Sequence, residues 1–450
     1  MAPDARSDGE ERTLTGKRPA PAAGDPPPRD TIFALSSGAP PAAIAVVRIS
    51  GPRADAALAA LAGSLPEPRT ARLATLRHRG EMLDRALVLR FAGPHSETGE
   101  DVAELQLHGG RSVVAAVLAA LGTLDGLRPA QPGEFTRRAF DNGKIDLSEA
   151  EGLADLLFSE TQSQRRAALA LAGGALGRQV EAWQARLLAA AARIEAELDF
   201  SDEGDVPADM GVAPGALRDL VGEIESWLRR PPAERLREGV RVVIAGPPNA
   251  GKSSLLNALA GRDAAITSEI AGTTRDLVEA PTAIGGSPFL LVDTAGLRDG
   301  GDAVESIGIA RARESLEAAD LILWLGDPAA CPDRAKAILV HAKADLAPPA
   351  CGAGIAVSAR TGEGLDALVA YLVERSRALL PAEGEVAINA RHRAALAETL
   401  DWLRDGAAAD DPLIMAETVR QALRALDRVT GRAGVEDMLD ALFGRFCIGK

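Results

Sequence analysis

The sequence predicts a multidomain protein of mixed α/β and α+β class, in which an α/β domain is inserted into an α-helical domain. The chain has 450 residues, which is more than one hydrophobic core accommodates. Between residues 239 and 380, apolar strand-like runs alternate with helical runs, as is typical of a parallel sheet with crossover helices. Helical periodicity occupies residues 144–238 and 381–450, so the two halves of the helical domain are expected to meet in space.

Composition excludes several classes of protein. A net charge of −14 argues against a general nucleic-acid coat, although a local basic patch stays compatible with it. Three cysteines without CxxC spacing favour a reducing compartment, and five scattered histidines give no support to a His/Cys metal site. No run of about 18 apolar residues is present, so we expect no membrane span and a cytoplasmic location.

The N-terminal third contains an extension and an α+β domain. Residues 1–29 are rich in Pro and charge and poor in large apolar residues, which predicts a disordered segment. From residue 30 to 143, "AIAVVRIS" and "RALVLRF" are typical of strands, and "SVVAAVLAALGTL" is typical of a helix.

The strand "RVVIAG" is followed by "GPPNAGKSS", which then opens a helix. This is the GxxxxGK[ST] pattern in the strand–loop–helix context that a phosphate-binding P-loop needs. The glycines let backbone N–H groups approach phosphates, Lys252 reaches the β- and γ-phosphates, and the Ser253 hydroxyl is a candidate ligand of Mg²⁺.

Later motifs occur in the order that a GTPase of the Ras-like α/β fold requires. Asp293 in "DTAG" ends a hydrophobic strand, and Thr274 in "AGTTRD" is placed to complete the magnesium shell. "AKAD" and "SAR" follow later strands, and Asp345 would accept hydrogen bonds from the N1–H and the 2-amino group of guanine. The predicted GTP-binding residues are Asn249, Ala250, Gly251, Lys252, Ser253, Ser254, Ser268, Glu269, Ile270, Ala271, Gly272, Thr273, Thr274, Asp293, Thr294, Ala295, Gly296, Lys343, Asp345, Ser358 and Ala359.

Two positions depart from the usual GTPase pattern. Ala342 stands where GTPases normally have Asn. We expect the absence of this Asn to weaken guanine binding by about 1–3 kcal/mol, while Asp345 preserves the selectivity for guanine. Leu297 stands where Ras-like proteins have the Gln that orients the attacking water. Another polar residue must therefore serve hydrolysis, and the nearby candidates are Glu305, Asp302 and Asp299.

Residues 30–450 resemble the MnmE (TrmE) family of bacterial tRNA-modification GTPases. The resemblance rests on "DTIFAL…AVVRISGPRA", "TGEDVAELQLHGG", "PGEFTRRAFDNGKIDLSEAE", "NAGKSSLLNALAGRDAAITSEIAGTTRD", "LVDTAGLRD", "VESIGI" and the terminal "FCIGK". Shared P-loop motifs alone do not separate this family from other GTPases, whereas the N-terminal segments together with the ending do. The fold implied is a P-loop GTPase domain inserted in a helical domain and preceded by an α+β folate-binding domain.

The resemblance implies a mechanism and partners. The chain would be a homodimer whose paired G domains enclose K⁺ in place of an arginine finger, with Glu305 orienting the water. The implied potassium ligands are Asn249, Ser268, Ile270 and Thr273. With an FAD-containing partner of the MnmG (GidA) type in a heterotetramer, the protein would add a (carboxymethyl)aminomethyl group to the wobble uridine of certain tRNAs, with GTP converted to GDP.

The family also implies a site for a tetrahydrofolate derivative, either 5-formyl- or 5,10-methylene-tetrahydrofolate. Glu104 matches the carboxylate that faces the pterin, and Arg48, Lys144 and Lys450 match the other ligand contacts. Glu97 replaces an aromatic residue usual in the family.

The C-terminal tail is expected to pack through Phe443, Phe446 and Ile448 against the helical core, which would deliver Lys450 to the folate pocket. Cys447 is either a nucleophile beside the one-carbon unit or a small buried packing residue.

Arg420, Arg424 and Arg428 share one helix face, which fits either tRNA phosphates or a solvated surface. The rival functions are a ribosome-assembly GTPase switch without folate chemistry, and a scaffold protein derived from this family.

Overall fold

A computed structural model describes residues 30–199, 212–261, 279–294, 312–347, 354–382, 384–432 and 436–449. The predicted extension 1–29 lies outside these residues. The chain divides into two compact units, Met1–Ile145 with Asp440–Lys450, and Asp146–Leu439. The finer division into three domains, with the boundaries given above, stays a prediction.

The first unit is built on a six-stranded sheet, so the α+β prediction for this region is confirmed. Its strand order is β3-β4-β5-β2-β1-β6, and β1–β6 is its parallel pair. Leu58, Leu61, Val117 and Leu121 pack from two helices against the sheet. The strands are β1 Thr31–Leu35, β2 Ile44–Ser50, β3 Arg72–His78, β4 Glu81–Phe91, β5 Val102–His108 and β6 Leu127–Pro129, and the helices are α1 Ala54–Ala62, α2 Arg111–Gly122 and α3 Glu134–Asp141.

The C-terminal tail belongs to this first unit, and the expectation that it packs on the helical core is wrong. Phe443 and Phe446 are buried, and the Phe443 ring lies 6.4 Å from that of Phe140 on α3. Ile448 bridges to Pro132 through the backbone, but its side chain is exposed. The tail docks here because Phe443 packs against Phe140 of α3 and Phe446 packs against Phe443.

The second unit begins with helices whose apolar faces form one core. Trp183, Leu187, Leu220, Leu396 and Leu426 are among the buried residues of that core. The core joins segments on both sides of an inserted module, as the sequence predicts for a helical domain that contains an insertion. The helices are α4 Leu147–Leu157, α5 Gln162–Ala172, α6 Ala175–Asp199 and α7 Val212–Leu228, followed after the insertion by Ala390–Ala408, Pro412–Thr430 and Glu436–Phe443, the last of which crosses the boundary between the two units.

The inserted module is a six-stranded sheet of order β12-β11-β10-β7-β9-β8. From Val242 to Ala245 the central strand β7 is apolar and buried, because both of its faces are covered there. The predicted parallel arrangement holds for β7, β9, β10, β11 and β12, whereas β8 pairs antiparallel to β9 through a tight hairpin. The elements are α8 Glu234–Glu238, β7 Val240–Ala245, α9 Lys252–Ala260, β8 Glu279–Ile284, β9 Ser287–Asp293, β10 Leu321–Trp324, β11 Ala337–Ala342, β12 Ile355–Val357 and α10 Leu365–Arg377.

The chain enters and leaves the inserted module side by side. Pro232 and Ile388 form a parallel backbone bridge, and the Ala233 amide donates to the Ile388 carbonyl at 3.1 Å. The segments that enter and leave the module are thus paired with each other. Within the described residues, no helix is long and apolar enough to cross a membrane.

Candidate functional site

The loop after β7 has the geometry of a phosphate cradle. It runs from Gly246 to Gly251, where Gly251 has φ 98°, and Lys252 begins α9. Asn249 also takes a positive φ of 61°, a conformation that Asn adopts more readily than most residues. Because the first N–H groups of a helix lack intrahelical partners, the start of α9 favours an anion in front of it.

The Lys252 ammonium lies across its own loop. Its Nζ donates to the carbonyl oxygens of Gly246 at 3.2 Å and of Pro247 at 2.9 Å, and the side chain is 6% exposed. Because these backbone carbonyls already restrict the Lys252 side chain, it loses little conformational entropy when its ammonium contacts phosphate oxygens.

A hydroxyl and a carboxylate meet where β7 and β9 end. Ser253 Oγ donates a hydrogen bond to the carboxylate of Asp293, which is buried and pairs in register with Ile244. Oxygen ligands of this kind suit Mg²⁺, so the residues present fit that ion. Thr294, next along the chain, instead donates its hydroxyl to the Ile244 carbonyl at 2.9 Å and anchors the strand end.

A cavity of about 290 Å³ lies beside the P-loop and is lined by Gly251, Ser254, Ala342, Asp345 and Ala359, among others. The buried Ser358 hydroxyl donates to Asp345 Oδ1 at 2.7 Å, which orients the carboxylate along the cavity wall. The hydrogen bond from Ser358 and the nearby Arg360 guanidinium hold the pKa of Asp345 below its usual range. This carboxylate therefore stays an acceptor, as recognition of guanine requires.

Lys343 connects the loop after β11 to the P-loop. With φ at 61°, it places its Nζ 2.6 Å from the Asn249 carbonyl oxygen. Ala342 lies beside it, half-buried at the end of β11, and brings no polar group to this junction. The lysine therefore makes a link between the two loops although Asn is missing from position 342.

Arg360 is a residue of this site that the motifs alone did not assign. Its Nε contacts Asp345 Oδ2 at 2.9 Å, while its side chain is largely exposed. Arg360 is the last residue of the motif "SAR", so its position directly after Ser358 and Ala359 was the sequence feature that could have indicated a role in this site.

Several predicted residues lie outside the described part of the chain. They are Ser268, Glu269, Ile270, Ala271, Gly272, Thr273, Thr274, Ala295, Gly296, Glu305 and Lys450, together with the alternatives Asp299 and Asp302.

In the first unit, three predicted folate residues gather near one cavity of about 360 Å³. Glu104 and Lys144 line it, and Arg48, the register partner of Glu104 on β2, pairs with the Glu104 carboxylate at 2.9 Å. Lys144 Nζ donates to the Pro94 carbonyl at 2.8 Å. The Glu104 carboxylate and the Lys144 ammonium both line this cavity, and they fit a ligand that combines an N–H-bearing ring with an anionic group.

Two further predictions have clear structural outcomes. Cys447 is exposed, so the alternative of a buried packing residue is wrong. Arg420 and Arg428 pair with Glu417 and Glu398. These ion pairs favour the solvated-surface interpretation of that helix over a bare phosphate-binding face.

Comparisons with known proteins match both units. Residues 31–144 match the family model for the N-terminus of GTP-binding protein TrmE, and residues 147–447 match that for the MnmE helical domain. The tRNA modification GTPase MnmE of Rhizorhabdus wittichii is 60% identical over 429 residues, which cover 94% of this chain and 97% of that protein. That of Erythrobacter litoralis is 57% identical and covers 94% and 100%. The G domain of the T. maritima FeoB iron transporter is 29% identical over 30% of this chain and 98% of its own, with a TM-score of 0.22.

Proposed function

The chain belongs to the MnmE family of tRNA modification GTPases, and we propose that it hydrolyses GTP to drive the modification of tRNA. The observation that carries the nucleotide assignment is the shared edge of one sheet. There, Lys252, the Ser253–Asp293 pair and Asp345 lie at or after the carboxyl ends of the parallel strands β7, β9 and β11. Ligands of open α/β sheets bind at that edge.

Each described residue has a distinct task in this proposal. The α9 N-terminus and Lys252 bind the phosphates, and Ser253 with Asp293 would hold Mg²⁺, which supplies charge neutralisation at the phosphate oxygens. Ser358 orients Asp345 toward the guanine N1–H and 2-amino donors. Adenine offers no donor pair at that edge, so the carboxylate selects guanine.

Turnover is proposed to depend on residues beyond the described part. Glu305 would orient the attacking water, because Leu297 has no group that can hold it. Potassium would supply positive charge between two paired G domains, and Asn249 belongs to its proposed ligands.

The pathway step is the addition of a (carboxymethyl)aminomethyl group at C5 of a wobble uridine. The cavity with Arg48, Glu104 and Lys144 supports a tetrahydrofolate site for the one-carbon unit. Redox chemistry would come from a flavoprotein partner of the MnmG type. The chain itself would act as a homodimer in the cytoplasm.

One experiment tests the reaction and the pathway together. Cells that lack the protein are complemented with the wild type, with Lys252→Ala or with Asp345→Asn, and the wobble nucleosides of their tRNA are analysed. We expect restoration of the modified uridine by the wild type alone. Full restoration by both variants would contradict a role for GTP in this step.

A further inference from the structure

The hairpin between β3 and β4 closes in a turn whose geometry does not suit arginine. Arg79 and Gly80 form its two-residue loop, with φ angles of 50° and 87°. Positive φ at both loop positions is the type I′ geometry, for which Asn-Gly is a preferred sequence. Arginine adopts this conformation at a higher cost than Asn or Gly. The Arg79 side chain is exposed, so burial does not offset that cost.

Two more exposed arginines flank the turn. Arg77 lies near the end of β3, and Arg85 on β4 follows shortly after the turn, opposite Thr75 in the strand register. The residues next to them, Leu76 and Ala86, are buried in the core that the helices of the first unit cover. Because side chains alternate along a strand, Arg77 and Arg85 lie on the opposite, solvent-facing side of the sheet.

The exposed surface of this hairpin is positively charged. None of the three arginines forms an ion pair with another residue in the described part of the chain. Of the two carboxylates on the hairpin, Asp84 is buried and bonds to His108 Nδ1 at 2.7 Å, whereas Glu81 is exposed. Three exposed arginines therefore face one exposed carboxylate, in a chain whose net charge is −14.

The arginines on the late helix Pro412–Thr430 are in a different situation. Arg420 and Arg428 already pair with Glu417 and Glu398. A paired arginine has to leave its carboxylate before it contacts a phosphate, whereas the hairpin arginines have no such partner to leave. The planar guanidinium, with its fork of N–H donors, matches the oxygens of a phosphate group. The hairpin is therefore better suited than this helix to a phosphate-bearing polymer.

We propose that the β3–β4 hairpin is a contact surface for the phosphate backbone of tRNA, with Arg77, Arg79 and Arg85 as the phosphate-binding residues. This inference rests on the proposed function in tRNA modification and names the place where this chain contacts the nucleic acid. Phosphate contacts position a nucleic acid without reading its sequence, so the hairpin serves different substrate tRNAs alike.

Arg79→Asn separates RNA binding from folding, because Asn suits the turn better than arginine does. Filter binding compares full-length wild type, R79N and the triple variant R77Q/R79N/R85Q over a series of KCl concentrations. The probe is an unmodified transcript of a tRNA with a wobble uridine. We expect the slope of log affinity against log salt to become shallower by about 0.7–0.9 for each arginine removed, and the triple variant to bind at least about 10-fold more weakly at physiological salt. R79N should unfold at the same or a higher temperature than wild type, with unchanged GTP turnover.

Arg420→Gln is the matched control, because it removes an arginine that is paired with Glu417. It should leave the tRNA affinity and the salt slope unchanged. Equal tRNA binding by wild type and the triple variant overturns the inference. If cells with that variant nonetheless lack the modified uridine, the arginines contact a protein partner instead.

Two further outcomes also overturn the inference. An equal loss of affinity in R420Q and R79N would reduce the effect to net charge. Absence of tRNA binding by the wild type would remove direct contact between this chain and tRNA. The proposed function is decided separately, by the complementation experiment with the nucleotide-site variants, so its failure is distinguishable from a failure of this inference.

Discussion

Ala342 brings no polar side chain to the cavity proposed to bind guanine, at the junction of two loops. Its Cβ would lie 3.7 Å from a Cβ built on Gly251, so a longer side chain at position 342 points at the P-loop. Lys343 makes its contact with Asn249 from the next position along the chain, which leaves room for a second link.

We therefore expect Ala342→Asn to tighten GTP binding by about 1–3 kcal/mol, which is roughly five- to 150-fold, since it adds hydrogen bonds in a partly buried site. Fluorescence titration with a labelled guanine nucleotide measures the change. Asp345→Asn is the control, and it should weaken GTP binding while leaving ATP binding weak. An A342N variant with unchanged affinity would show that Lys343 already completes the junction.

His392 is a fully buried titratable group in the helical core. Its Nε2 lies 2.8 Å from Glu151 Oε2, and the Asn389 amide donates to its Nδ1 at 3.3 Å. Arg391 also pairs with Glu151, and Asp146 is a further charge that acts on the imidazole. Burial lowers the pKa of His392. Burial would raise the pKa of Glu151, but its hydrogen bonds and ion pairs with His392 and Arg391 hold that pKa well below its usual range.

These pKa shifts predict a loss of stability in mild acid. The unfolded chain protonates His392 near pH 6.5 while the folded chain resists, so the unfolded state binds more protons as the pH falls from about 7.5 to 5.5. The free energy of unfolding should drop by up to about 1.4 kcal/mol per pH unit below 6.5 from this group, and Glu151 adds to the loss below about pH 4.5. Urea denaturation at each pH measures it. His392→Gln should show the shallower dependence, and an equal slope in both proteins would speak against this assignment.

At the scale of elements, the docked tail offers a sharp test. Phe446 is 4% exposed and its ring lies 6.0 Å from that of Phe443. Phe446→Ala should cost about 3–5 kcal/mol of local docking free energy, because it leaves a cavity under the tail. Hydrogen exchange of residues 443–449 and tryptic cleavage at Arg445 should both accelerate. Ile448→Ala, at an exposed side chain, is the control and should change neither.

A second element-scale contact links helix α5 to the hairpin between β8 and β9. Ser163 donates to the Gly286 carbonyl from its hydroxyl at 3.1 Å and from its amide at 3.4 Å. The Thr161–Gln164 capping box fixes the start of that helix. The hairpin ends at Asp293, so this contact connects the helical core to a strand that carries the proposed magnesium ligand.

Ser163→Ala should weaken the contact by about 1 kcal/mol, since one of the two hydrogen bonds to Gly286 is lost. Hydrogen exchange at the turn of residues 284–287 should increase. Ser226→Ala provides the comparison, because the Ser226 hydroxyl donates to the Glu223 carbonyl within its own helix. If the turn is protected equally in S163A and S226A, the contact does not stabilise the hairpin.

Sequence periodicity predicts elements that are amphipathic or fully buried, and it misses those that depend on distant partners. The buried run of β7 and the alternation of β2 are visible in the residues themselves. Strand β8, "EAPTAI", contains a Pro and small residues, and it is a strand because β9 pairs with it. The docking site of the C-terminal tail includes Phe140, which lies 303 residues before Phe443 in the sequence. No local sequence pattern therefore indicates where the tail docks.

At the scale of the whole molecule, the chain order of motifs predicts the nucleotide site better than it predicts the N-terminal cavity. P-loop residues are adjacent in sequence, and parallel strands bring Asp293 and Asp345 to the same edge. The N-terminal cavity instead depends on long charged side chains, each of which has several possible ion-pair partners in the sequence. Arg48 takes two carboxylates at once, and only the folded chain shows that choice.

The whole-molecule prediction concerns potassium and two copies of the chain. Because Leu297 stands where Ras-like proteins have a Gln, no side chain at that position can orient the attacking water. Asn249 lies exposed on the P-loop and has a positive φ. If K⁺ between paired G domains supplies the charge, GTP turnover should be at least about 10-fold faster in potassium than in caesium at equal ionic strength, because an arginine finger at that place is worth about 10³–10⁵. The rate per chain should also rise with protein concentration, and GDP affinity in the two salts serves as the control. Turnover that is equal in both salts, with GDP bound equally well, would remove potassium from the mechanism and leave Glu305, Asp302 and Asp299 to act without it.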